Sequence, residues 1–319
     1  MRVHRALGPL TLALVLAVPL AAQNAQCNAL VLQADRNVCN AAIDGTRVFH
    51  PVAGLLVSGG DAVLGSFRSL GGFPHLSVTV RVNATKLKTP DLGYDGTTGT
   101  TVPTADEITA PAPLVEAAVG VFNGVGESHF LSIDALGSAQ LLPVNAVDNL
   151  TVDDNARKIG DIALGLGFGG RVGITSGKGL VPAIAVSAMY RSIPKITYGD
   201  VPSGDQYSFG VDLKATNLRA TAGYKFALLQ VGAGLGWDKY TGDASLQYRT
   251  SLGTQNARVD LDASRTLAFV GAGLDLPIVK LGAELGYQFG KDEKLSTTFQ
   301  DNDPGDNRLF GSVGIRFGF

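Results

Sequence analysis

The sequence predicts an all-β protein, an up-and-down antiparallel β-barrel that crosses a membrane with its strands. Three observations support this prediction: long segments of alternating apolar and polar residues, connections that are alternately short and long, and a final alternating segment that ends on Phe319. Beyond residue 20 no apolar stretch is long enough for a spanning helix. A membrane location therefore has to come from strands.

The first 23 residues have the build of a secretory signal peptide. Arg2 and Arg5 form a short basic region, an apolar run follows from Ala6 to Leu20, and two alanines come next. Residues 1–23 are therefore assigned as the signal peptide, and the mature chain is expected to be exported.

Residues 24–72 differ in character from the rest and form a predicted N-terminal segment. A helix is expected over Cys27–Ala42, and the Gly-rich apolar stretch His50–Gly60 follows, which could add short strands. Outside the inner membrane, Cys27 and Cys39 are expected to form a disulfide that staples this segment. The segment is either a periplasmic appendage or a plug inside the barrel.

The barrel is predicted over residues 73–319. In Leu76–Thr85 even positions are apolar and odd positions polar, and the same alternation recurs to the C-terminus. Strands are expected near 73–87, 112–124, 128–142, 160–175, 180–194, 205–226, 228–250, 256–275, 278–298 and 307–319. The apolar parity changes inside 205–226, which a β-bulge near Ala215–Asn217 or a turn there would absorb. The expected count is therefore 10 to 12 strands, with 14 possible.

The connections indicate which end of the barrel faces outside. The joints near 123–128, 176–179, 226–228 and 276–278 are tight, whereas the joints near 88–110, 143–158, 194–204, 251–256 and 300–306 are longer and polar. Short periplasmic turns and longer external loops are the expected asymmetry of such barrels.

Small residues occupy many positions that the alternation assigns to the lumen. The fourth strand places Gly165, Gly167, Gly169 and Gly173 there, and the seventh adds further glycines. A water-filled porin would carry polar side chains instead. The free space could hold the N-terminal segment or an apolar ligand, or the glycines could simply ease strand bending.

Charged residues of both signs also fall on the inward parity. They are Arg81, Glu116, Asp134, Arg171, Arg191, Asp212, Lys214, Arg219, Glu284 and Arg316. Opposite charges that face each other across a narrow lumen are expected to pair, because an unpaired buried charge is costly. An internal ladder of salt bridges is the favoured interpretation, and a selectivity filter is the alternative.

Nothing in the sequence predicts an enzyme. Outside the signal peptide the histidines are His50, His75 and His129, with no nucleophile motif and no metal-ligand spacing around them. We expect no catalysis, no cofactor and no bound metal, with a hydrolase that uses His75 and His129 as a third-ranked hypothesis. The basic residues are scattered, so no nucleic-acid partner is expected.

From Phe73 to Phe319 the chain resembles bacterial outer-membrane β-barrel proteins, on the alternation, the loop asymmetry and the terminal aromatic residue. The resemblance implies an outer-membrane location, contact with outer-membrane lipid, and Phe317 and Phe319 as a C-terminal signal for the barrel-assembly machinery. The layout is also similar to long-chain fatty-acid transporters, which hold an N-terminal hatch inside a fourteen-stranded barrel. We expect a narrow, plugged channel or transporter for small or hydrophobic solutes. The alternative is a non-conducting structural or interaction barrel that presents external loops.

Overall fold

A computed structural model describes residues 24–105, 107–126, 129–143, 150–153, 156–159, 162–177 and 179–318. Across these residues ten long strands form a closed antiparallel barrel, which confirms the predicted fold class. Two short strands pair with the ten long ones and bring the hydrogen-bonded sheet to twelve strands, whereas 14 strands are not found in the described chain. The signal peptide and Phe319 lie outside the described residues, so these predictions stay predictions.

The barrel strands follow the chain in order. They are β1 Leu76–Leu87, β2 Ile108–Phe122, β3 Ser132–Pro143, β4 Ile162–Ser176, β5 Ala183–Tyr198, β6 Tyr207–Phe226, β7 Leu229–Thr250, β8 Gly253–Asp275, β9 Lys280–Gln288 and β10 Arg308–Gly318. Each strand pairs with its neighbours in sequence, and β1 pairs with β10 from Ser77↔Gly318 to Thr85↔Phe310. This last pairing closes the barrel and leaves none of the ten long strands as a sheet edge.

Short strands form additional pairings at one end of the barrel. Leu150–Val152 pairs with β5, Lys158–Ile159 pairs with β4, and Thr298–Phe299 pairs in parallel with Thr101–Val102. The predicted strand 278–298 is therefore too long, because β9 ends at Gln288 and the chain then runs through a loop. A run of charged residues, Lys291–Lys294, follows the alternating part and cannot continue it.

The connections keep the asymmetry that the sequence predicts. At one end the strands are joined by residues 123–131, 177–182, 227–228 and 276–279. At the other end they are joined by residues 88–107, 144–161, 199–206, 251–252 and 289–307, and we call this the loop end. The opposite end, where β1 begins and β10 ends, is called the turn end.

The N-terminal segment contains a short helix, α1 Ala25–Asn28, and a long helix, α2 Gln33–Ser58. The helix α2 continues well past the predicted end at Ala42 and contains Pro51, so the expected short strands in His50–Gly60 are wrong. It contacts β1, β2, β6, β7 and β8. None of the described helices is apolar over a length that would cross a bilayer.

The direction of α2 follows from its partners at each end. Near its start, the Asp35 carboxylate accepts hydrogen bonds from Ser251 N at 3.0 Å and Ser251 Oγ at 2.7 Å, in the loop between β7 and β8. After Ser58 the chain passes toward the turn end and enters β1 at Leu76. The N-terminal segment thus runs from the loop end of the barrel to its turn end.

The inward residues of β6 change from apolar to polar along its length, and the strand is unbroken. Near the loop end the inward residues are apolar, including Phe209, Val211 and Leu213, which are 1 to 2% exposed. Near the turn end the inward residues are polar, including Asn217 and Arg219, both 3% exposed. The register with β7 is continuous, so neither the β-bulge nor the turn predicted near Ala215–Asn217 is present. The irregularity lies in the neighbouring strand β5, between Ile193 and Ile196.

The outer face of the same strands shows the opposite inversion. Toward the turn end β7 presents Leu235 and Trp237 outward, whereas toward the loop end it presents Asp243 and Gln247 outward. We call the half with apolar outward residues the membrane half and the other the outer half. An apolar exterior fits lipid and a polar exterior fits water. Strands β6 to β8 are 20 to 23 residues long, about twice the 9–11 residues that a bilayer requires.

The outer half has a hydrophobic core of the kind found in soluble proteins. Helix α2 supplies Val48, Phe49 and Val52, and the wall supplies Phe209 and Tyr240 among many others, in one contiguous buried cluster. Phe49 and Phe209 meet edge to face with ring centroids 5.7 Å apart. Helix α2 therefore packs against the inward, apolar residues of the outer half.

The membrane half can be tested by placing a charge on its outward face. We expect Leu235→Arg to destabilise the barrel in lipid vesicles by about 2–4 kcal/mol, because the Leu235 side chain is 67% exposed on the apolar face. The matched control is Leu252→Arg, since Leu252 is 82% exposed but lies in a loop of the loop end. Urea-induced unfolding measures both. Equal effects of the two substitutions would contradict the assignment of the membrane half.

Candidate functional site

A layer of buried charges lies in the interior of the membrane half, just below the end of α2. We call it the charged layer. It contains Asp61, Arg81, Glu116, Asp134, Arg171, Arg191, Arg219, Asp238, Glu284 and Arg316, each no more than 5% exposed. Among the residues that the sequence assigned to the lumen, eight are in this layer.

Arg81 of β1 holds the chain that follows α2. Its Nη1 donates to the carbonyl oxygen of Asp61 at 2.7 Å, and its Nη2 donates to that of Gly59 at 3.0 Å. Its Nε lies 3.4 Å from Glu116 Oε2, and Nη1 lies 4.0 Å from Glu284 Oε2. One guanidinium thus joins the N-terminal segment to two carboxylates of the wall.

Arg219 of β6 makes the corresponding contacts from another side of the barrel. Its Nη2 donates to the Ser58 carbonyl oxygen at 2.8 Å, and its Nε donates to that of Gly60 at 2.9 Å. Both Nη atoms also contact the Asp238 carboxylate, at 2.5 and 3.1 Å. Tyr240 donates its hydroxyl to the same carboxylate at 2.8 Å.

These two arginines meet the C-terminus of α2. The last carbonyl groups of a helix lack partners within the helix and carry partial negative charge, so cations stabilise this end. Arg81 and Arg219 supply those cations, and Asn83 Nδ2 donates to the Leu56 carbonyl oxygen at 2.9 Å. The position of the helix along the barrel axis is thereby fixed.

The remaining arginines continue the same arrangement toward the turn end. Arg171 donates to the Ser66 carbonyl oxygen at 3.0 Å and to Asp134 Oδ2 at 2.9 Å. Asp134 in turn accepts from the backbone N–H of Leu70 at 3.1 Å. Arg316 donates to the Leu64 carbonyl oxygen at 3.2 Å. The segment after α2 is therefore held by side chains of five strands, β1, β3, β4, β6 and β10.

Two acidic residues complete the layer. Glu284 of β9 accepts from the backbone N–H of Asp61 at 3.1 and 3.3 Å. Glu116 of β2 lies between two cations, with Arg191 Nη2 at 3.2 Å and Arg81 Nε at 3.4 Å. Charges of both signs thus compensate each other across the lumen, as an internal salt-bridge ladder requires.

The space beside several small lumen residues is occupied by other side chains. A side chain at Gly232 would lie 2.5 Å from the Phe67 ring, and one at Gly223 would lie 2.6 Å from Phe67 Cβ. A side chain at Gly282 would lie 2.7 Å from Leu64 Cγ. On β4, the space beside Gly165 is taken by Ile193 of the neighbouring strand. The N-terminal segment therefore takes the space beside Gly223, Gly232 and Gly282, and a wall side chain takes it beside Gly165.

Two of the predicted lumen residues lie elsewhere. Asp212 and Lys214 face outward, because β6 keeps its odd positions inward over its whole length. The alternation places both residues in the lumen only if Val211 and Leu213 face lipid, whereas those two residues pack in the core with α2. Conversely, Asp238 was not chosen as a candidate, although it has the inward parity of β7. Asp61 gave no signal, because its segment had no predicted register.

The other singled-out residues lie apart from the charged layer. Cys27 and Cys39 form a disulfide within the N-terminal segment, with 5.6 Å between their Cα atoms. His50 is buried in α2, whereas His75 and His129 lie at the turn end, where each ring Nδ1 contacts a backbone carbonyl oxygen. Phe317 is 36% exposed near the end of β10. Within the described part of the chain, no group of His, Cys, Asp or Glu side chains is arranged to hold a metal ion.

Comparisons with known proteins concern the fold. No protein-family model and no curated protein matches the sequence. The outer-membrane protease OmpT from Escherichia coli is similar over 80% of this chain and 100% of its own, with 11% identity and a TM-score of 0.42. The translocator domain of the autotransporter NalP from Neisseria meningitidis is similar over 89% of this chain and 98% of its own, with 14% identity and a TM-score of 0.39. The chain thus resembles bacterial outer-membrane β-barrels.

Removing one arginine tests how strongly the charged layer holds the segment. We expect Arg219→Gln to destabilise the barrel by about 3–5 kcal/mol, because Asp238 would remain buried without its cation. The control Lys214→Gln, on the same strand but with an exposed outward side chain, is expected to change stability by less than about 0.5 kcal/mol. Chemical unfolding measures both variants. Similar values for the two would show that the layer contributes little.

Proposed function

We propose that the protein is a non-conducting outer-membrane barrel that presents its outer half and its loop end to the outside. The observation that carries this proposal is the inversion of polarity along β6 and β7. The outer half has a water-compatible exterior and a dry apolar core, so it is built as a folded body rather than as the mouth of a pore. The proposal corresponds to the second of the two functions named from the sequence.

The free-energy cost of removing α2 from the lumen supports a closed barrel. Helix α2 buries seven large apolar side chains, namely Val38, Ile43, Val48, Phe49, Val52, Leu55 and Val57. At about 1.5–3 kcal/mol for each, exposing them would cost on the order of 10 kcal/mol or more. A state with the helix expelled would then be populated at about one part in ten million or less. Thermal release of the helix therefore does not supply a usable channel.

The loop end offers a charged surface to a partner. The five connections there carry fifteen acidic residues and five lysines or arginines, a formal charge of −10. The chain as a whole carries only −2, so negative charge is concentrated at this end. Such a surface favours a partner with positive charge and accelerates its association. Outer-membrane lipid around the membrane half and the barrel-assembly machinery, acting on the C-terminal strand, remain the further proposed partners.

Transport is the second candidate function, because the segment after α2 is attached to the wall only by noncovalent contacts. The segment from Gly59 to Leu70 is held by hydrogen bonds and ion pairs rather than by a covalent bond to the wall. A narrow path could open if this part moved and α2 stayed in place. The solutes would have to be small, because the outer half would remain filled.

Planar-bilayer recordings separate the two functions. We expect no conductance steps from the full-length protein or from Arg219→Gln, because the apolar contacts of α2 do not depend on that arginine. Lys214→Gln serves as the control for handling and insertion. If Arg219→Gln conducts while Lys214→Gln is silent, the segment gates a channel and transport becomes the better assignment.

A binding measurement tests the role of the loop end. Reconstituted protein is expected to bind a lysine-rich peptide at low salt, with affinity that falls steeply as the salt concentration rises, because exposed charges are screened. An acidic peptide of equal length is the control. Equal binding of both peptides would contradict an electrostatic docking surface.

A further inference from the structure

The turn end contains a second charged feature that the closed-barrel proposal does not use. A cavity of about 320 Å³ lies inside the barrel at this end, under the chain that links α2 to β1. Its lining includes Arg68, Ser77, Lys280 and Arg316. Lys280, Arg316 and Ser77 come from the inward positions of β9, β10 and β1, so the cavity faces the lumen and not the lipid.

Positive charge is in excess around this cavity. Arg316, Lys225 and Arg68 each lie close enough to repel the ammonium group of Lys280. Asp275 is the carboxylate that compensates them. It contacts Lys225 Nζ at 2.5 Å and Arg316 Nη2 at 3.6 Å. Arg316 also belongs to the compensated charged layer, so the surplus comes from Lys225, Lys280 and Arg68 against Asp275, a formal charge of +2.

The Asp275 carboxylate already accepts hydrogen bonds, whereas two of the cations have no hydrogen-bond partner among the described residues. Besides Lys225, the Asp275 oxygens accept from Gln230 Nε2 at 2.9 and 3.0 Å. By contrast, the side chains of Arg68 and Lys280 make no hydrogen bond or ion pair with any residue that the structure describes. Since a charge held near other like charges is costly, an anion would stabilise this arrangement.

An unpartnered hydroxyl provides an independent indication. Ser77 is 2% exposed and lines the cavity, yet its Oγ makes no hydrogen bond within the described chain. Buried polar groups are normally satisfied, so an orphan hydroxyl beside unpaired cations indicates a ligand that accepts hydrogen bonds. A hydroxyl donor and convergent cations form the recognition set of an oxyanion.

We propose that this cavity is an anion-binding site for a phosphate group, either free or as the monoester of a small soluble molecule. A phosphate dianion matches the surplus of +2 better than a single carboxylate does, and the cavity leaves room for a few further heavy atoms. Arg68 belongs to the N-terminal segment, whereas Lys280 and Arg316 belong to the wall. A bound phosphate would therefore bridge the segment to the barrel.

Binding of inorganic phosphate to the full-length protein in phosphate-free detergent tests the proposal. We expect saturable binding by calorimetry and a rise in melting temperature, because a ligand that binds the folded state stabilises it. Lys280→Gln and Arg68→Gln are each expected to weaken binding by about tenfold or more, since each removes a charge-assisted contact. The control is Lys294→Gln, which changes an exposed lysine at the loop end.

Three outcomes would overturn the site. Phosphate could fail to bind saturably, or Lys294→Gln could weaken binding as much as Lys280→Gln, which would indicate diffuse attraction. Finally, the protein could bind phosphatidylglycerol vesicles while neither inorganic phosphate nor glycerol 3-phosphate competes. The source would then be a lipid head group at the rim and not a soluble phosphate in the cavity. These outcomes do not depend on whether the barrel conducts.

Discussion

The structure depends on the contact between buried guanidinium groups of the wall and backbone carbonyl groups of the N-terminal segment. A narrow barrel in lipid cannot leave charges unpaired in its interior, and the wall carboxylates alone do not use all of the arginine donors. Arg81 and Arg219 each donate two further hydrogen bonds at the end of α2, to the carbonyl oxygens of Ser58, Gly59, Gly60 and Asp61. The same contacts satisfy the helix terminus, so each partner removes the cost of burying the other.

This arrangement separates the barrel into two parts that follow opposite rules. In the membrane half the outward residues are apolar, and the interior holds the charged layer together with two small apolar clusters. In the outer half the exterior is polar, and α2 fills the interior with apolar side chains. The helix ends at Ser58, where the charged layer begins, because its apolar surface has no favourable partner below that level. A single continuous strand such as β6 serves both parts by exchanging the roles of its two faces.

Much of the fold could be predicted from alternation alone, because period two is a local property of the chain. The ten strands, the side on which the tight turns lie and eight of the ten inward charges follow from it. Alternation does not state which face meets lipid, however. The alternation predicts Asp212 and Lys214 in the lumen only if Val211 and Leu213 face lipid, whereas those residues pack in the core with a helix. That helix is itself stabilised by the barrel, so its extent to Ser58 was not evident from local sequence. The contacts of Asp61 depend on tertiary position and had no local signal.

The distribution of charge indicates where the protein can act. The charged side chains of the described lumen pair with one another, and the N-terminal segment packs against them. The loop end carries a formal charge of −10, and the turn end gathers cations around a cavity. Neither surplus is needed to close the barrel, because the charged layer is already compensated between them. Groups that the fold does not require are the ones available to partners. If the barrel is closed as proposed, its two ends present surfaces of opposite charge with no path between them.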